Sequence, residues 1–127
     1  REGIYAQADR IAVAVQGHLD QAQAAGKLAR NASAMAAQQL LQRHDTMQGG
    51  FSPAPKFPNE ANYLFLIDFA LRNANQELVD LVRFDLQTMA RGGIYDQVGG
   101  GFHRYSANYD WLVAHFERML YDQARLA

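Results

Sequence analysis

Residues 59–93 read NEANYLFLIDFALRNANQELVDLVRFDLQTMARGG. The apolar positions in this stretch recur at the spacing of an α-helix and never alternate as in a strand. Tyr63, Leu64, Ile67, Ala70 and Leu71 form one side of a helix opening at Asn59 or Glu60, with Phe65 and Phe69 on another. A helix apolar nearly all round is buried between neighbours. Leu78, Val82, Leu86 and Met89 form the stripe of a second helix, from Gln76 to Arg91. The pair Gly92-Gly93 stops it, since glycine favours helix ends.

Working outward, Ile4 to Ala25 shows helical spacing at Tyr5, Ala8, Ala12, Val15, Leu19 and Ala22, and Gly26 ends that helix. A weaker stripe at Met35, Gln39 and Leu40 predicts a helix from Ala29 to about His44. Pro53, Pro55 and Pro58 push Ser52, Ala54 and Phe57 toward extended backbone, which predicts a stiff strap over Ala54 to Pro58. A final helix is expected to start near Trp111 and to bury Phe116, Met119, Leu120 and Ala124. Short strand pairing fits Gly99 to Tyr105. The fold expected is all-α, one helical domain over residues 1–127, with a glycine-rich loop before the last helix.

The bulk properties exclude several function classes. A chain of 127 residues suits one domain with a real core. A net charge of -1 gives no basic footprint, so no nucleic-acid partner is expected. The longest apolar run, Leu64 to Leu71, is broken by Asp68 and is far short of a membrane span, so no membrane partner is expected. There are no cysteines, hence no disulfide or thiol chemistry. The four histidines lack metal-ligand spacing, and neither a phosphate-binding loop nor a dinucleotide motif is present. No metal and no cofactor are expected. The compartment stays open, with the cytoplasm slightly favoured.

Two separated segments carry a resemblance. Residues 49–58, GGFSPAPKFP, resemble GGF-x-x-APKFP, and residues 92–127 resemble GGIYD-x-x-GGGFHRYS followed by W-x-V-PHFEKMLYDNA. These are signatures of the YyaL-like and spermatogenesis-associated thioredoxin-domain-containing proteins. The resemblance implies a longer protein, with a thioredoxin-like domain in cis followed by an (α/α)6 toroid of the six-hairpin glycosidase type, similar to N-acylglucosamine 2-epimerase. This chain then supplies antiparallel helical hairpins of that toroid. A carbohydrate is the implied ligand, with isomerisation or hydrolysis as the activity. A non-catalytic glycan- or protein-binding module is the alternative. The chain alone is expected to be inactive and to form a homo-oligomer through unpartnered apolar faces. Ala114 stands where the family has proline, Arg118 for lysine, Gln123 for asparagine, Ser52 for glycine and Asn108 for an acid.

Candidate site residues follow. His115 is the acid/base candidate, because imidazole changes charge near neutral pH; the other reading is a histidine bonded to structure. Glu117 either orients a histidine, acts as an acid or complements a helix N-terminus. Inside one regular helix the two point to nearly opposite sides; they converge only if the helix begins at or after His115. Trp111, His115, Arg118 and Asp122 fall on one helical stripe, so Trp111 and Asp122 join the ligand-contact candidates. Arg104 either clasps an anion or pairs with Asp96 or Asp110. Tyr105 either stacks on a ligand or packs the loop, Asp110 is a further polar contact, and Lys56 is a ligand contact or an exposed charge.

Overall fold

The computed structural model describes residues 2–22 and 29–126. It divides into two compact units, Arg1–Arg30 and Asn31–Ala127. The first holds α1 (Glu2–Ala22), an alanine-rich helix that no glycine or proline beyond Gly3 and Gly17 interrupts. Its apolar side chains Ile4, Ile11, Val15 and Leu19 are exposed. The expected stop at Gly26 lies outside the described residues. None of the described helices is long and apolar enough to cross a membrane.

The second unit is mostly helical: α2 (Ala32–Arg43), α3 (Glu60–Arg72), α4 (Gln76–Arg91), a two-stranded antiparallel pair β1 (Tyr105–Ser106) and β2 (Ala114–His115), and α5 (Leu120–Leu126). The α3–α4 hairpin lies where the apolar spacing predicts it. Asn75 caps α4 by accepting from the Leu78 amide at 3.0 Å, satisfying one of the donors that a helix start leaves open. At the other end the Gly92 amide closes back on the Thr88 and Met89 carbonyls. Tyr63, Leu66 and Ala70 of α3 pack with Leu78, Val82 and Met89 of α4, and Ile94 and Trp111 complete the core. Burial of each large apolar side chain contributes about 1.5–3 kcal/mol. Both stripes differ in part from expectation: in α3 Leu64 and Leu71 are exposed and Leu66 is buried, and the fully buried stripe of α4 runs through Asp85, while Leu86 is only half-buried.

The chain after Gly92 departs most from the sequence reading. No helix starts near Trp111. Residues 105–106 pair with 114–115, and α5 begins only at Leu120. Trp111 causes the difference. Its backbone is left-handed, φ 64°, and its indole is completely buried. The indole Nε1 donates to the Gln48 carbonyl at 2.7 Å, and the Trp111 carbonyl accepts from the Ile94 amide at 3.0 Å. Asn108 Oδ1 accepts from the Val113 amide at 3.0 Å and closes the connecting turn. The stripe Trp111, His115, Arg118 and Asp122 is therefore not a helix face. The expected apolar core stripe also fails: Phe116 and Leu120 are 86% and 85% exposed. What docks α5 is Leu126 against the core and Gln123, whose amide group donates to the Phe102 carbonyl (2.6 Å) and accepts from its amide (2.8 Å).

Candidate functional site

The β1–β2 pairing sets side chains of the two strands beside each other. Tyr105 faces His115 in register, and the rings stack with centroids 4.6 Å apart. Phe57, from the proline strap, packs against Tyr105 with ring centroids 4.9 Å apart. The strap reaches the pair because Lys56 and Ser106 exchange two backbone hydrogen bonds, at 2.7 and 2.8 Å. Just past β2, the Glu117 carbonyl accepts from the Arg104 amide at 2.7 Å. The same two residues pair through their side chains, Arg104 Nη1 to Glu117 Oε2 at 2.9 Å.

His115 Nδ1 lies 3.8 Å from the same carboxylate oxygen. The late start of α5 is what lets His115 and Glu117 converge, since a tight turn at Phe116, closed by the Glu117 amide donating to the His115 carbonyl at 2.7 Å, separates them in place of a helical turn. The hydrogen bond from Arg104 is the main cause that holds the Glu117 carboxyl below the usual glutamate range. Arg104, His115 and Glu117 are all partly open to solvent, at 40%, 50% and 42% of their side chains. The result is an ionised carboxylate shared by a guanidinium and an imidazole, beside an aromatic surface. Arg104 pairs with neither Asp96 nor Asp110. Asp96 takes Arg118, and Asp110 Oδ1 accepts from the Leu112 amide at 3.3 Å in the turn.

Three residues expected at a ligand surface lie inside the unit. Lys56 is 1% exposed, Trp111 0% and Asp122 3%. The Lys56 ammonium donates to Asp45 Oδ2 at 2.7 Å and to the Tyr109 carbonyl at 3.0 Å, and it sits 5.1 Å from the Trp111 ring centroid. A desolvated cation over an indole is stabilised by the ring quadrupole. Asp122 feels the Arg104 charge, and its Oδ2 is shielded and unpartnered. Burial first, and then the nearby Glu60 charge, push its carboxyl above the usual range.

A second polar cluster escaped the sequence reading. Asp85 is completely buried, and it accepts from Tyr63 Oη (2.9 Å) and the Gly50 amide (2.8 Å) through Oδ2, while Oδ1 lies 2.9 Å from His44 Nε2. Burial and the adjacent Asp85 charge push the Tyr63 hydroxyl far above the usual tyrosine range, so it stays a donor. Gly49 and Gly50 have φ of 73° and 86°, and a side chain at Gly49 would meet Asp85. This cluster ties the GGF turn to α4. An acid on the buried stripe, at Leu78, Val82, Asp85 and Met89, is the sequence signal that marks it. Among the described residues, no group of three or more histidine or carboxylate side chains is placed to hold a metal ion.

No family model matches the chain. Curated relatives do. The chain is 46% identical over 94 residues to human "Spermatogenesis-associated protein 20", an alignment spanning 71% of this chain and 12% of that protein. The matched stretch belongs to the spermatogenesis-associated protein 20 family. The mouse protein of the same name is 45% identical over 94 residues, again 71% of this chain and 12% of the relative. "Uncharacterized protein B0495.5" of Caenorhabditis elegans is 46% identical over 86 residues, 65% of this chain and 12% of its own length. The alignment thus spans about an eighth of spermatogenesis-associated protein 20.

Proposed function

We propose that the Arg104–Glu117–His115 cluster is a ligand-contact surface for a carbohydrate, within a longer protein whose toroid completes the site. One observation carries the reading: a single carboxylate is hydrogen-bonded by a cation, with an imidazole nitrogen 3.8 Å from it, beside the stacked Tyr105 ring, all within reach of solvent. Sugars are bound by just such charged and hydrogen-bonding groups against an aromatic face. Arg104 keeps Glu117 ionised, which makes Glu117 a poor general acid and suits it to orient His115. His115 is then the group that gives and takes a proton at a sugar carbon, as an isomerisation next to a carbonyl requires. The toroid, the thioredoxin-like domain in cis and the sugar chemistry are part of this proposal. The resemblance of residues 49–58 and 92–127 to the toroid-bearing family supports them.

A second reading rests on the same Arg104–Glu117 pair. A carboxylate already occupied by arginine favours holding a ligand over transforming it, which describes a non-catalytic glycan-binding module. Sugar-induced thermal stabilisation of the full-length protein tests both, followed by solvent-deuterium incorporation with and without His115→Asn. Exchange lost in the variant supports isomerisation, and stabilisation without exchange supports the binding module. Absence of stabilisation by any sugar overturns the carbohydrate reading.

A further inference from the structure

We infer that the outer edge of β2 pairs with β2 of a second copy of this chain, joining two molecules through an antiparallel strand pair centred on Ala114. This contact stands apart from the sugar reading, because it rests on main-chain groups that the Arg104–Glu117–His115 surface does not use.

Hydrogen bonding fixes which way Ala114 points. β1 lies between the proline strap and β2. Ser106 of β1 spends its amide and its carbonyl on Lys56 of the strap, at 2.8 and 2.7 Å. Ala114 is the residue opposite Ser106 in the strand pair. Opposed residues in an antiparallel pair alternate between bonding each other and bonding outward. The Ala107 amide donates to the Val113 carbonyl at 2.7 Å, so Val113 and His115 turn their main chain toward β1. Ala114 therefore turns its N–H and C=O away from β1, to the open side of β2. Among the described residues, neither group bonds to a loop or a neighbouring element.

An edge strand with free main-chain groups is a template for another strand, and proteins guard such edges with charges or proline. Residues 111–116, WLVAHF, contain no acid, lysine, arginine or proline. Ala114 stands where the family motif has proline, which has no N–H to donate at this edge. Leu112, Val113 and Phe116 are 61%, 55% and 86% exposed, so apolar surface flanks the free groups. A second β2 matches these features together. Laid antiparallel with Ala114 opposite itself, the two copies exchange two hydrogen bonds. Val113 then faces the partner's His115, and Leu112 faces the partner's Phe116. No like charges oppose each other, and the two-fold symmetry closes the contact at a dimer.

Sedimentation equilibrium of this chain, joined to hydrogen exchange at several concentrations, tests the inference. The expected result is a monomer–dimer equilibrium in which the Ala114 amide gains protection as concentration rises. Ala114→Pro removes the outward donor from both copies and should weaken the dimer at least about tenfold. Val113→Lys, at an exposed side chain, sets a charge on the edge and should weaken the dimer as well. Should Ala114→Pro fail to fold, Val113→Lys and the exchange data decide. A chain that stays monomeric up to about 1 mM overturns the inference. So does a dimer that both variants leave intact, or one whose Ala114 amide exchanges as fast as in the monomer, because another face then holds the copies together.

Discussion

The amide of Gly50 donates to Asp85 Oδ2 at 2.8 Å, joining a left-handed turn to the middle of α4 across 35 residues. The same oxygen accepts from the Tyr63 hydroxyl, so one carboxylate holds α3, α4 and the GGF turn together. Replacing Asp85 with leucine strands three polar partners in the interior. Each such loss costs about 1–3 kcal/mol, so Asp85→Leu should destabilise by at least about 3 kcal/mol in urea unfolding. Tyr63→Phe, which removes only one of the bonds, should cost about 1 kcal/mol.

Gly93 tests the path of the chain after α4. A Cβ at this position would run into the Leu112 backbone carbonyl. Because main chain cannot swing aside as a side chain can, Gly93→Ala should displace the Trp111 turn as well as lower stability. A red-shifted tryptophan emission in the folded variant would report that displacement, whereas unchanged emission would contradict the packing described.

Gln123 makes a narrower prediction. Gln123→Leu keeps the apolar stem but removes both bonds to Phe102, and should cost about 2 kcal/mol. Hydrogen exchange at the Phe102 amide should accelerate more than at core amides of α4.

The carboxylates predict the response to pH. Asp45 is held below its usual range: burial opposes the shift, and the Lys56 hydrogen bond with the Gln48 and Met47 amides outweighs it. Glu117 is held low chiefly by Arg104. A lowered folded-state value gives stability that is present above the ordinary carboxylate range and is lost as pH falls through the folded value. Asp122 has the opposite sign, being raised by burial and by Glu60. It destabilises the fold at neutral pH, and that penalty fades as acid protonates it. Asp122→Asn should therefore stabilise the fold at neutral pH in urea unfolding, with the gain vanishing once pH falls below the ordinary carboxylate range. Arg104→Gln should raise the Glu117 titration toward the ordinary range, as followed by carboxyl carbon NMR.

Much of this was legible in the sequence. The α3–α4 hairpin follows from apolar spacing and the Gly92 stop, both local signals. The start of α5 was not legible, because Trp111 to Met119 has helical apolar spacing by coincidence while its partners are distant: Gln48, Ile94 and Tyr105. Lys56 read as a ligand contact or an exposed charge because nothing nearby in sequence announces Asp45 or the Tyr109 carbonyl as its partners. His115 and Glu117 were legible as residues, and their meeting was legible as a condition on where the helix begins. Asp85 was hidden by its neighbour Leu86, which fits the apolar pattern equally well.

Trp111 is the chain's one tryptophan, buried beneath a lysine ammonium at the meeting point of the GGF turn, the end of α4 and the β1–β2 turn. That makes it a built-in optical probe of a single junction. Its fluorescence follows the joining of these three segments, while circular dichroism follows the helices that surround them. A difference between the two signals along an unfolding curve would time the loosening of the polar junction against the melting of the helical frame, with no label added.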